Sequence, residues 1–70
     1  MPQATAVSID DLFAELAKRM ADNPLSVGPI VTRVLLRTGV SLRNPRPDQA
    51  KDPVAIAKVT AVLAELGYPL

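Results

Sequence analysis

The chain of 70 residues contains no cysteine, no histidine and no tryptophan, and it has a single phenylalanine and a single tyrosine. Each absence removes a class of chemistry. Without cysteine there is no disulfide framework, and without cysteine and histidine the usual zinc sites cannot form. The lack of histidine also removes the side chain that most often exchanges protons near neutral pH. Phe13 and Tyr68 alone cannot provide the row of stacking platforms that holds single-stranded nucleic acid. No apolar run approaches the ~20 residues of a membrane-spanning helix, so no membrane association is expected. Residues 1–4 show neither the basic region nor the apolar stretch of a secretory signal, and the expected location is cytoplasmic.

What the chain does have is aliphatic. Its apolar fraction is 49%, built from Ala, Val and Leu, which is far above that of a disordered segment. At this length it makes one small domain, near the lower limit for a core without staples. The pattern predicts an all-α fold, a compact three-helix bundle. A disordered tail is expected over residues 1–7 and a single helical domain over residues 8–70. A Pro-rich loop separates the second and third helices.

The first helix is predicted over residues 9–22. Ser8 has the chemistry of an N-cap, with Asp11 three residues on as its capping-box partner, and Val7 and Leu12 stand at the two positions of a hydrophobic staple. Asp10 and Asp11 in the first turn and Lys18 and Arg19 in the last complement the helix dipole. Ile9, Leu12, Phe13, Leu16 and Met20 fall on one arc. Asn23-Pro24 ends the helix. A second helix is predicted over residues 29–38, capped by Ser26 or Gly28, with Pro29 tolerated in its first turn. Ile30, Val31, Val34, Leu35 and Thr38 form its inner face, Arg33 and Arg37 its outer one. Gly39 supplies a left-handed stop, with Val40 folding back on Leu35. Leu36 lies off the apolar arc, either exposed or in contact with something else.

Pro45 and Pro47 forbid a regular helix in the following segment, which Leu42 is expected to anchor on the core. The third helix, residues 53–66, starts at Asp52-Pro53 and stops at Gly67-Tyr68-Pro69, with Tyr68 packing back over Leu63. Ile56, Val59, Val62, Leu63 and Leu66 make a broad arc of large side chains. Ala57, Ala61 and Ala64 make a second, small-residue face, with Lys58 and Glu65 on one border.

Candidate chemistry is sparse. Asp11 and Glu15 are four apart, as an acid–base or metal pair can be, but capping by Asp11 and pairing of Glu15 with Lys18 or Arg19 account for them. Ser8, Ser26 and Ser41 have no histidine or cysteine to activate them. Ser26-Val27-Gly28-Pro29 opens a helix but lacks the glycine spacing of a phosphate loop. No catalytic, metal or cofactor site and no small-molecule substrate is expected.

Charge is segregated. Residues 1–30 carry a net −2, residues 31–51 a net +4 and residues 52–70 a net −1. Arg33, Arg37, Arg43, Arg46 and Lys51 therefore form the one basic stretch. It can neutralise several phosphates if the loop folds back along the second helix, or it can serve as a solvated face. Within it, Leu36-Arg37-Thr38-Gly39-Val40-Ser41 resembles the turn of a helix-turn-helix. Ala64-Glu65-Leu66-Gly67-Tyr68 is similar to the end of the third helix in the DNA-binding headpiece of LacI-type repressors. The resemblance implies duplex binding by a recognition helix directly after Gly-Val-Ser. Pro45 and Pro47 stand where that helix runs, and the chain is not assigned to the family.

These readings favour a small non-enzymatic interaction module, an adaptor, inhibitor or homo-oligomer. Its contact residues are Leu36, Ala57, Ala61 and Ala64, which can admit a close-packed partner helix. The alternative is a nucleic-acid-binding regulator using Arg33, Arg37, Arg43, Arg46 and Lys51.

Overall fold

The computed structural model describes residues 8–70. The tail expected over residues 1–7, including the Val7 half of the staple, lies outside the described residues. Three α-helices and one 3-10 turn make up the fold: α1 (Ile9–Arg19), the turn Pro24–Ser26, α2 (Val27–Thr38) and α3 (Pro53–Glu65). Among the described residues there are no strands.

Helix α1 starts as its sequence predicts. Ser8 is extended, and its hydroxyl accepts the Asp11 N–H at 3.2 Å. The helix stops at Arg19, three residues short of the expected end. Met20 is its C-cap, held in the core at 6% exposure, and its N–H donates to the Leu16 carbonyl. Pro24 holds Asn23 out of the helical region, and residues 20–22 form turns instead of continuing α1.

The second helix departs from expectation in the other direction. Pro24 opens a 3-10 turn that runs straight into α2 at Val27, two residues before Pro29. Ser26 consequently has helical dihedrals and makes no side-chain cap. The earlier start brings Val27 into the core in line with Val31 and Val34. That line leaves Leu35 43% exposed, because it sits about 100° around the helix from Val34. Gly39 ends α2 with φ 74°, and its N–H donates to the Leu35 carbonyl at 2.8 Å. Val40 joins the common core instead of simply folding back on Leu35.

Residues 40–52 form no helix, so no recognition helix directly follows Gly39-Val40-Ser41. They are nevertheless part of the interior: Val40 and Leu42 are buried at 1% and 0% exposure. The Arg43 guanidinium lies 6.0 Å from the centre of the Phe13 ring on α1 and 3.8 Å from where a Cβ on Gly28 of α2 would stand. The loop thus crosses the seam between α1 and α2. It ends in a tight turn in which the Gln49 and Ala50 N–H groups both donate to the Arg46 carbonyl at 2.9 Å. The Ala50 carbonyl in turn accepts the Ile9 N–H at 2.8 Å, tying the loop to the start of α1.

Helix α3 is capped by Asp52, whose carboxylate accepts the Val54 N–H at 3.1 Å, with Pro53 in the first turn. It buries Ala55, Val59, Val62 and Leu63, while Ile56 and Leu66 pack against the core from its edge. Ala55 is an addition to the expected arc, four residues before Val59 on the same line. Gly67, at φ 96°, lets the Tyr68 N–H return to the Leu63 carbonyl at 2.8 Å. Both α1 and α2 pack on α3, which is the hub of the bundle. The shared core has no buried charged or polar residue among the described ones.

Candidate functional site

Interest falls on the outer surfaces. Ala57, Ala61 and Ala64 are all exposed, on the face of α3 that also carries Val54, Lys58 and Glu65. Val54 is a large apolar side chain at 59% exposure. On α2, Leu36 is 79% exposed and points away from the core line Val27, Val31 and Val34. Leu25, in the 3-10 turn, is 88% exposed. At 100° per residue, Pro29, Thr32 and Leu36 share one outer line of α2, and Leu25 in the preceding turn continues it. All four are exposed.

The two apolar features are separate. Arg37 on α2 pairs with Glu65 on α3 at 2.6 Å, which fixes the α3-facing flank of α2. Arg33, one turn earlier, lies on that same flank. Leu36 stands on the far side of these arginines from the alanine face, so Leu36 and Ala57, Ala61 and Ala64 do not merge into one patch.

The five cations of the basic stretch are likewise dispersed. Arg37 is held by Glu65, and Arg46 by Asp48 at 3.1 Å. Arg43 lies over Phe13. Arg33 and Lys51 make no ion pair among the described residues. Lys51 precedes the first turn of α3 while Arg37 lies beside its last, so a helix of about 20 Å separates them. Arg33 and Arg43 flank α2 on opposite sides, one toward α3 and the other across Gly28.

Glu15 pairs with Lys18 at 3.5 Å, as its spacing predicts. Among the described residues no three acidic, histidine or cysteine side chains are grouped to hold a metal ion. A shallow depression of about 180 Å³ lies between Arg19, Met20, Asp22, Asn23, Ser26 and Tyr68. It is smaller than the clefts that usually enclose a small-molecule ligand.

Leu25 and Val54 are the surface residues that sequence reasoning passed over. Leu25 carries the clearer signal, four residues before Pro29 and eleven before Leu36. It is visible once the segment after Pro24 is read as helical and not as a link. Compared with known proteins, the chain matches no family model, no curated protein and no solved structure at a significant level.

Proposed function

We propose that this protein is a small non-enzymatic interaction module, an adaptor, inhibitor or self-associating unit, working through the apolar outer faces of α2 and α3. The observation that carries this reading is the position of Leu25, Leu36 and Val54. The core closes without them, and they are left outside at 88%, 79% and 59% exposure. Covering one such side chain is worth roughly 1.5–3 kcal/mol, so two or three of them can anchor a modest interface. The alanines at 57, 61 and 64 add a surface that a second backbone can approach closely.

A nucleic-acid-binding regulator is the second reading, supported by Arg33 and Arg43, neither of which faces a carboxylate among the described residues. One titration separates the two. Amide shifts of the labelled full chain are followed in host lysate and, separately, with duplex DNA at low salt. The interaction reading expects lysate-induced broadening at Leu25, Leu36, Val54 or Ala61, lost in Leu36→Lys and Ala61→Arg variants that remain folded. Shifts at Arg33, Arg37, Arg43 and Arg46 that appear only with DNA, and fade steeply with salt, would overturn it in favour of the regulator. So would a Leu36→Lys, Ala61→Arg double variant that folds and functions as the parent does.

A further inference from the structure

We infer that the outer line of α2 docks a helix of another protein, one whose apolar stripe is bordered by carboxylates. The inference rests on the interaction-module reading and names the partner for one of its two surfaces. Leu25, Pro29, Thr32 and Leu36 follow a 4-3-4 spacing, the repeat that lets one helix lie along another. All are exposed, with the two leucines at the ends about 17 Å apart. Pro29 and Thr32 are shorter than the two leucines, so one large apolar side chain from the partner can lie over them between the leucines.

The middle of this line can be covered without stranding a polar side chain. Pro29 has no N–H, and the Thr32 hydroxyl already donates to the Gly28 carbonyl at 3.1 Å. Burying an unsatisfied donor or acceptor is what most often forbids docking on a helix face, and at these two middle positions that cost is small.

Charge then selects the occupant. Helix α2 contains no acidic residue. Arg33 borders the leucine line on the α3 side, with no ion pair among the described residues. Arg37, on the same side, is already matched by Glu65. On the opposite side the Arg43 guanidinium, held near Gly28 and Phe13, borders the line with no ion pair among the described residues. An apolar stripe with cations on both borders is complementary to an apolar stripe with anions on both borders.

A second copy of this chain does not offer that surface. Outwardly, α1 shows alanines beside Asp10 and the Lys18-Arg19 pair, and α3 shows alanines with both Lys58 and Glu65 on one border, so each mixes the two signs of charge. A bilayer fits less well than a helix, because the large apolar residues form a line one residue wide instead of a broad face. Duplex nucleic acid fits poorly too: the two leucines stand outermost, where a phosphate backbone would meet them before the arginines.

The test uses the full chain, isotopically labelled, and two synthetic helical peptides of about three heptads. Both carry leucine at the a and d positions; one has glutamate and the other lysine at e and g, so neither self-associates readily. The glutamate peptide is expected to shift Leu25, Thr32, Arg33 and Leu36, and the lysine peptide is expected to be silent. Leu36→Asp should weaken binding about tenfold or more, and Arg33→Glu should weaken the glutamate peptide while admitting the lysine one. Because both positions are exposed, these variants should keep the parent's helical spectrum, which is checked first. Equal binding of both peptides, or no response to the glutamate peptide, overturns the inference. So does a response of α2 to anionic phosphatidylglycerol vesicles or to duplex DNA with none to the peptide. Self-association in sedimentation that Leu36→Asp abolishes would assign the stripe to a second copy and overturn it as well. Lysate-induced shifts confined to α3 would overturn it while leaving the broader interaction reading intact.

Discussion

Replacing Leu42 by alanine asks whether the proline-rich loop is a wall of the core or merely a connector. Leu42 is 0% exposed, although it belongs to no helix. Trimming its isobutyl group to a methyl forfeits about 0.8 kcal/mol for each carbon withdrawn from the interior, or roughly 2.5 kcal/mol in all. A residual cavity in the core raises the loss to about 3–4 kcal/mol, since the nearby prolines restrict collapse of the loop. A single core in a domain this small supplies only about 3–5 kcal/mol. The variant should therefore stand close to its unfolding midpoint in plain buffer. The control is the same chemical change at Leu36, which is 79% exposed and should shift stability by no more than about 0.5 kcal/mol. Urea titration followed by far-ultraviolet circular dichroism reads both. A Leu42→Ala protein as stable as its parent would refute the loop's role in the core. A Leu36→Ala protein as damaged as Leu42→Ala would show that the outer face of α2 is covered in the protein's folded state.

Two further outcomes follow from local geometry. Gly39→Ala meets no atom within 4 Å, so its cost is purely that of an L-residue at φ 74°, about 1–2 kcal/mol, and a melting temperature equal to or above the parent's would contradict the left-handed cap. A double-mutant cycle on Arg37 and Glu65, whose side chains are 51% and 58% exposed, should give a coupling of about 0.2–1 kcal/mol that shrinks with added salt. Coupling that ignores salt would mean the pair is shielded from solvent.

Much of the fold can be read from capping chemistry. Ser8 before Ile9, Asp52 before Pro53, and Gly39 and Gly67 after their helices each satisfy backbone groups locally, and local causes are legible in a sequence. The missed boundaries have a different origin. In the sequence Pro24 reads as a terminator of the first helix, but proline is equally able to open the next one, and the earlier start buries Val27. Leu35 and Ala55 show the same limit from both sides. A periodic arc about a helix axis does not say where its centre lies until the neighbouring helices are in place. The surfaces were legible only in part. Leu36 stood out because it broke the pattern of its own helix, whereas Leu25 and Val54 stood in segments assigned to a link and a first turn. The separation of Leu36 from Ala57, Ala61 and Ala64 depends on the Arg37–Glu65 pair, a contact between residues 28 positions apart that no local reasoning supplies.

The Ile9 to Ala50 hydrogen bond has a kinetic consequence. It joins residues 41 positions apart, and forming it early would mean closing a loop whose entropy costs on the order of 3 kcal/mol. Helical bundles usually fold fast because successive helices meet as neighbouring hairpins. Here α1 and α2 rest mainly on α3, the last of the three along the chain, and the intervening loop must be laid between them before the interior is dry. An α1–α2 pair alone has little to hold it. The bundle should therefore form in one cooperative step, with no half-built species and a rate slower than its helix content suggests.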